Sequence, residues 1–422
     1  MRGSIPLVGT NMKTHEPEFL KAHKKVLSGK KKLSDKEFIK FKKKKPNDLN
    51  SLGKFFYNKE SSLAELKKIS EDYNNKCYLI DKYICVILPK GSDDYRPILV
   101  PSPRDRILFS FILEKIKEPI FTEINNFNVF GSGKRLDYPN MKKILSSVYL
   151  EAKKHKYILK IDISKFFPSI DKESLFKELK KYIKDDYLLK LIDNSFNNTF
   201  EIKYTKNFSD EKKKEIEAFV KKGVPQGCAY SPLLANFYGL DMDKFVSSEG
   251  YTSFRYLDDM IIFTESEDKA KKIFERLKKT AEKINLKIHD IDSEKKNKIY
   301  IQKADHSFEY LGMEIKSDGS YEIPIYKIKK EINLIKNGIF NKKTINRFTA
   351  KKVVEVLTLQ LNGWRSFYAK NFPSAYKSLQ SKTFYNEQLK KYYSGIMFSN
   401  QSIKKDLKSA GFKIEDKKFY LF

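Results

Sequence analysis

The sequence is poor in the residues that build covalently or metal-stapled folds. Its three cysteines, Cys77, Cys85 and Cys228, are too few and too scattered for a disulfide framework. Its five histidines (His15, His23, His155, His289 and His306) do not fall at ligand spacing from them, which excludes a zinc finger or ribbon. No apolar run reaches the roughly 18 residues that a membrane-spanning helix requires, and Met1 to Asn11 lacks the apolar stretch of a secretory leader. These absences predict a cytoplasmic protein with no membrane partner. Acidic residues are also short: 54 Asp and Glu face 84 Lys and Arg, a formal net charge of +30. A surplus that large predicts a polyanionic partner, nucleic acid before an anionic membrane. Aromatic residues at 14 % favour nucleic acid, because rings can stack on bases. What is present in quantity is apolar material, 40 % of 422 residues, enough to bury a core and to exclude a disordered tail protein. The length allows about two to four domains.

Residues 1–75 are lysine-rich with short helical patterns. Lys30, Lys31 and Lys32 form one cluster; Lys42, Lys43, Lys44 and Lys45 form another, stopped by Pro46. Such runs read either as a solvated face or as contacts to a phosphate backbone. From Cys77 the pattern changes. Tyr83 to Leu88 and Pro97 to Pro101 read as strands joined by a turn-rich loop that carries Lys90 and Arg96. Residues 104–119 read as a helix. Tyr157 to Ile163 reads as a strand entering the core, and 172–183 as a helix that Asp171 could cap. The polar stretch 199–222 reads as an excursion from the core. Pro232 to Phe245 reads as one helix, through Leu233, Phe237 and Leu240. Ser253 to Phe263 reads as strand–turn–strand, Lys269 to Ile284 as an amphipathic helix, and Phe308 to Ile315 as a short strand. After about residue 326 the pattern is helical to the end.

The densest chemical signal is Phe254-Arg255-Tyr256-Leu257-Asp258-Asp259-Met260-Ile261-Ile262-Phe263. Two adjacent carboxylates sit between apolar, β-forming runs. Like charges at a buried hairpin turn repel and lose solvation, a conflict that a divalent cation removes. An Asp-Asp pair alone also fits a plain polar turn. A second signal, Lys160-Ile161-Asp162-Ile163-Ser164-Lys165-Phe166-Phe167, places a lone carboxylate near the end of another apolar strand. If the two strands are neighbours, Asp162 and Asp258 converge, and three carboxylates can hold two metal ions about 3.5–4 Å apart for in-line phosphoryl displacement.

At these two motifs the sequence resembles the reverse transcriptase family. Asp162 matches the family's first catalytic carboxylate, and Tyr256-Leu257-Asp258-Asp259 its Tyr-x-Asp-Asp signature. A third block, Gly223-Val224-Pro225-Gln226-Gly227 through Ser231-Pro232-Leu233-Leu234-Ala235-Asn236, is similar to the family's Pro-Gln-Gly and Ser-Pro-x-Leu-Ala-Asn segment. Arg96-Pro97-Ile98, Pro101-Ser102-Pro103-Arg104 and Asp105-Arg106-Ile107 resemble the fingers of bacterial, group II intron-like members. Phe308-Glu309-Tyr310-Leu311-Gly312 resembles the primer grip, with Lys295 or Lys296 before it. Leu361-Asn362-Gly363-Trp364-Arg365 resembles a thumb helix. Phe130-Gly131-Ser132-Gly133-Lys134-Arg135 matches the family's Gly-x-x-x-Gly-Arg block only loosely.

The resemblance implies an α+β, right-hand polymerase fold. It implies a basic helical region over 1–75, fingers over 76–156, and a palm of antiparallel sheet plus helices over 157–325 with an insertion about 199–222. A helical thumb and extension would follow over 326–422. It implies an RNA-directed DNA polymerase with Asp162, Asp258 and Asp259 catalytic. Two Mg²⁺ ions, with Mn²⁺ as a substitute, would be held by these carboxylates and the Ile163 backbone. Lys90, Arg96, Phe167 and Gln226 would bind the nucleotide. Tyr256, Gly227, Tyr310, Leu311, Gly312 and Trp364 would bind primer and template. Phe167 stands where the family has an aromatic gate against a ribose 2′-hydroxyl; one of Phe166 and Phe167 is expected in the core, since strand neighbours face opposite sides. Partners would be an RNA template, dNTPs and a DNA product. With no Cys/His-rich endonuclease segment, no spare carboxylate cluster and no Val-Thr-Gly in the thumb region, the sequence resembles most the bacterial antiphage enzymes that work with a dedicated non-coding RNA. Open alternatives are a retron or group II intron-type enzyme, a template-independent, protein-primed polymerase of the abortive-infection type, and a non-catalytic RNA-binding protein. Oligomeric state is not legible.

Overall fold

The computed structural model describes Phe19 and residues 59–89, 95–132, 140–204, 208–291, 299–334, 368, 371–375, 413–415 and 418–420. Along the chain the described elements begin with α1 (Lys59–Asn74), β1 (Tyr83–Pro89), β2 (Tyr95–Val100), α2 (Pro103–Ile124), β3 (Val129–Phe130), α3 (Met141–Ala152) and β4 (Tyr157–Ser164). There follow α4 (Phe166–Ser169), α5 (Lys172–Tyr182), α6 (Asp186–Phe196), β5 (Phe200–Lys203), α7 (Asp210–Val220), α8 (Ser231–Tyr238) and α9 (Leu240–Ser248). Next come β6 (Ser253–Tyr256), β7 (Asp259–Thr264), α10 (Glu267–Lys283), β8 (Lys287–Ile288), β9 (Tyr300–Lys303), β10 (Phe308–Tyr310) and β11 (Met313–Ile315). The last are β12 (Tyr321–Glu322), α11 (Ile325–Leu334), β13 (Lys413–Glu415) and β14 (Lys418–Tyr420). The chain divides into two compact units: Met1–Gly133, Ile161–Met260 and Ile273–Asp290 form the first, and Lys134–Lys160, Ile261–Lys272 and Ile291–Phe422 the second.

The first unit contains one whole sheet and, with Ile161–Ser164 of β4 and Asp259–Met260 of β7, part of a second. In one, β1 and β2 pair antiparallel with Cys85 opposite Leu99, as the hairpin pattern predicts. Its other edge corrects the reading of 199–222 as an excursion. Phe200–Lys203 pairs parallel to β1, and Ile216 and Val220 of α7 are buried. Alternating apolar and polar residues let Phe200-Glu201-Ile202-Lys203 join a sheet despite the charged surroundings. In the second sheet the order is β3-β6-β7-β4-β8.

Helix ends follow local chemistry. Ser102 caps α2 by accepting from the Asp105 amide, with Pro103 at the first turn. Asp171 caps α5 as expected, accepting from the Ser174 amide at 2.7 Å. The sequence pattern ended α2 at Pro119, yet the helix runs on to Ile124 because Ile120 and Ile124 are fully buried. The helix expected over Pro232 to Phe245 is two, broken at Gly239, where the Arg255 guanidinium lies against the bare Cα.

In the second unit, Tyr157–Lys160 of β4 pairs antiparallel with β9. Helix α3, capped by Asn140, buries Ile144, Leu145 and Val148. The single strand expected over Phe308 to Ile315 is a hairpin, β10 and β11 with Tyr310 opposite Met313. Leu311 at φ +49° and Gly312 at φ +81° turn the chain in the left-handed region. The C-terminal region is not helical throughout, because β13 and β14 pair antiparallel near its end. No helix among the described residues is long and apolar enough to cross a membrane.

Candidate active site

The second sheet brings the two carboxylate motifs together. Asp162 lies on β4, and the amide of its neighbour Ile163 donates to the Asp258 carbonyl at 2.9 Å. Asp258 sits in the turn between β6 and β7, and Asp259 opens β7. All three aspartates are half-buried, between the buried side chains of Ile161, Ile163 and Met260. The turn is tight because Leu257 takes φ +56° and Gly131 takes φ +95° beside it. A Cβ on Gly131 would stand 2.9 Å from Leu257 Cγ and 3.2 Å from Tyr256 Cε1. Burial pushes the Tyr256 hydroxyl above its ordinary pKa.

The cation that the resemblance implies would meet a hard, all-oxygen donor set here. Among the described residues, no three His, Cys, Asp or Glu side chains are grouped so as to hold an ion unaided. The donor chemistry fits nonetheless. Carboxylates on two hydrogen-bonded segments suit Mg²⁺, which is commonly held by one or two carboxylates and completed by substrate phosphates. Asp162 and Asp258 would hold it, with Asp259 next along the chain. His289 on the segment after β8 brings Nε2 to 3.7 Å from Asp162 Oδ2. Sequence reasoning assigned His289 no role, since a two-residue strand carries no periodic signal.

A second cluster gathers the expected nucleotide residues Phe167 and Gln226. Lys165 at φ +47° turns the chain out of β4 into α4. Phe166 is buried and Phe167 half-buried. One ring therefore does enter the core, but the pair sits on a short helix, so helical turn and not strand alternation separates them. The Phe167 carbonyl accepts from the Val224 amide at 3.0 Å. Gly223 at φ +61° makes this approach possible, since a Cβ there would fall 2.0 Å from Phe167 O. The next residues dock on β2: the Leu99 amide donates to Gln226 O at 2.8 Å, and a Cβ on Gly227 would fall 1.8 Å from Leu99 O. Gln226 thus lines a small groove with Pro97, Leu99, Pro168, Phe219 and Lys222. Arg96 is exposed on β2, paired across the hairpin with Leu88.

Tyr310, Leu311 and Gly312 form the β10–β11 hairpin of the second unit. Lys90, Gly133 to Arg135, Lys295, Lys296 and Trp364 lie outside the described residues, as do the two N-terminal lysine clusters.

Sequence reasoning gave no role to Arg255, although it stands inside the strongest motif. Its side chain is wholly buried and ion-paired with Asp243, itself 2 % exposed. The available signal was a charged residue between Phe254 and Tyr256 on a strand with apolar neighbours, a place that demands a buried partner.

Residues 88–315 match the family model described as "Reverse transcriptase (RNA-dependent DNA polymerase)". That match covers more than half of the chain, and the chain belongs to the reverse transcriptase family. Its α+β, right-hand polymerase fold is the fold the motifs predicted. Among curated proteins, the chain is 28 % identical over 198 residues to the "Group II intron-encoded protein LtrA" of Lactococcus lactis subsp. cremoris, covering 46 % of this chain and 30 % of that protein. It is 27 % identical over 182 residues to the "Retron Ec83 reverse transcriptase" of Escherichia coli, covering 43 % and 52 %. The "Putative COX1/OXI3 intron 2 protein" of Saccharomyces cerevisiae is 25 % identical over 203 residues, 44 % of this chain and 20 % of that protein. The chain therefore spans between a fifth and about half of these relatives' lengths. Among solved structures, apo telomerase from Candida tropicalis aligns with a TM-score of 0.39 at 11 % identity, over 62 % of this chain and 60 % of that one.

Proposed function

We propose that this chain is an RNA-directed DNA polymerase, copying an RNA template into DNA from dNTPs by nucleotidyl transfer. The observation that carries this reading is the hydrogen bond from Ile163 N to Asp258 O, which joins the strand of the first carboxylate to the turn of the other two. Two divalent cations, Mg²⁺ or Mn²⁺, would when bound supply Lewis-acid activation of the primer 3′-hydroxyl and charge neutralisation for the leaving pyrophosphate. The chain's own residues do the rest. Asp162, Asp258 and Asp259, with the Ile163 backbone, would hold the cations. Lys90 and Arg96 neutralise the triphosphate, where charge develops on phosphate oxygens. Gln226 and Gly227 support the nascent pair, and Phe167 meets the sugar. Tyr256 and the Tyr310-Leu311-Gly312 hairpin position the primer, and Trp364 belongs to the thumb. Residues 76–156 act as fingers, 157–325 as palm and 326–422 as thumb and extension, with the basic 1–75 holding RNA. The expected replacement Phe167→Ala admits ribonucleotides; a single-nucleotide assay with paired dNTP and rNTP reads it, and unchanged discrimination sinks the gate.

The setting we propose is bacterial antiphage defence with a dedicated non-coding RNA as template. Similarity to group II intron and retron proteins favours the second reading, an intron- or retron-type enzyme. The test is incorporation of each labelled dNTP by purified protein with Mg²⁺ and no added nucleic acid, against the Asp258→Ala/Asp259→Ala double variant. Incorporation abolished by RNase supports a co-purified RNA template. Incorporation that resists RNase points to the template-free alternative. Activity confined to a supplied primer–template supports the intron-type reading.

A further inference from the structure

Resting on the polymerase reading above, we propose that Arg255 is a positioning residue for the catalytic turn. Its guanidinium fixes the Leu257 carbonyl, and through it the placement of the Asp258 and Asp259 carboxylates.

Arg255 is fully buried, and Nε donates to both Asp243 oxygens, at 3.0 and 2.9 Å. That pair alone would neutralise the charge. The fork reaches further. Nη2 donates to the Asn236 carbonyl at 3.0 Å, and Nη1 donates both to Asn236 Oδ1 and to the Leu257 carbonyl, each at 3.1 Å. Asn236, also fully buried, donates through Nδ2 to the Phe130 carbonyl at 2.7 Å. One side chain therefore ties α8, α9 and, through Asn236, β3 to the turn between β6 and β7.

The Leu257 carbonyl is a telling target. Leu257 holds φ +56°, a conformation that residues with side chains avoid, so the turn needs an outside constraint. The peptide from Leu257 to Asp258 is planar, so holding the Leu257 oxygen orients the plane that leads into Asp258. The Asp258 carbonyl on the far side accepts from Ile163 N at 2.9 Å. Asp258 is bracketed: Arg255 holds the peptide before it, and β4 holds the carbonyl after it. The guanidinium in turn is confined by Gly239, where a Cβ would stand 3.1 Å from Nη1 and 3.2 Å from Cζ. This arrangement links Asn236 of the Ser-Pro-x-Leu-Ala-Asn segment to the Tyr-x-Asp-Asp turn through the Arg255 guanidinium, a connection that spacing along the chain does not reveal.

Two variants test it. Arg255→Lys keeps a charge opposite Asp243 but lacks the planar fork needed to reach Leu257 and Asn236 together. Gly239→Ala leaves every polar partner in place. Its backbone, at φ −78° and ψ −1°, accepts alanine, yet the new Cβ presses on the guanidinium. Arg276→Ala, which removes an exposed pair with Glu249, is the control. Each protein is measured for its thermal melt, for kcat and nucleotide KM in primer extension, and for Mn²⁺ binding by electron paramagnetic resonance of the free ion. A displaced catalytic group predicts a kcat loss of about tenfold or more for Arg255→Lys and about threefold for Gly239→Ala, with KM within about twofold. The same displacement predicts Mn²⁺ half-saturation raised about threefold in Arg255→Lys. Arg276→Ala stays at wild-type values in all three. Folded variants that melt earlier yet keep wild-type kcat and Mn²⁺ binding overturn the proposal, since the network then serves stability alone. If Arg255→Lys does not fold, Gly239→Ala decides by the same criteria. Wild-type protein without polymerase activity removes the functional reading, while the Mn²⁺ titration still decides the positioning claim.

Discussion

Two hairpins carry the same local sequence with different endings: Tyr256-Leu257-Asp258 in the first unit and Tyr310-Leu311-Gly312 in the second. In both, the leucine turns the chain at positive φ, +56° at Leu257 and +49° at Leu311. They differ in what holds the turn. The first leans on a buried guanidinium that donates to a main-chain oxygen and is fully paired by Asp243 and Asn236. The second has Gly312 to relieve the following residue, and its neighbourhood is braced by Lys327 Nζ on Glu309 at 2.9 Å, with Tyr326 donating to the same carboxylate at 2.8 Å. Lys327 and Glu309 keep 26 % and 23 % of their side-chain surface, so water screens that brace. The Leu257 turn, which leads into Asp258, is held from inside by a rigid planar group. The Leu311 turn is braced from outside by a flexible, half-exposed lysine.

The contrast can be broken at graded strength. The largest effect is expected from Arg255→Met, which strands Asp243 in the core and should cost about 3–5 kcal/mol of unfolding free energy. Urea titration measures it, and a loss below about 1 kcal/mol would erase the distinction between the hairpins. Gly312→Ala comes next. Alanine at φ +81° should cost about 1–2 kcal/mol from the left-handed backbone, because the group its Cβ would meet is the mobile end of Lys327. Lys327→Met is the smallest, about 0.2–1 kcal/mol, and should shrink further in high salt. Equal losses for Arg255→Met and Lys327→Met would mean that burial does not separate the two turns.

The legible part of the molecule was the part with short-range signals. Hydrophobic runs around Asp162 and Asp258 gave their strands, Asp171 announced its helix, and two apolar runs around Cys85 and Leu99, parted by a turn-rich loop, gave the first hairpin. The motif order gave the family. Long-range constraints were not legible. Nothing local says that Phe200-Glu201-Ile202-Lys203 joins β1 in a sheet, because the partner lies more than a hundred residues away. Gly239 broke a helix that periodicity carried straight through, since the cause is a guanidinium sixteen positions later. Pro119 did not end α2, because two buried isoleucines beyond it outweighed the lost hydrogen bond. Within the site, adjacency of Asp162 and Asp258 was an inference from type and spacing. The buried role of Arg255 and the approach of His289 needed coordinates.

The central claim is that Asp162 and the Asp258–Asp259 turn form one catalytic centre for copying RNA into DNA. The measurement that tests it most directly is extension of a DNA primer on a defined RNA template with dNTPs and Mg²⁺, comparing wild type with Asp162→Asn and Asp258→Asn. These replacements keep shape and remove charge. Wild-type extension, with each variant folded and slowed at least about a thousandfold, is the predicted result, in line with the loss of groups that stabilise developing charge. Extension by either variant at wild-type rate contradicts the account.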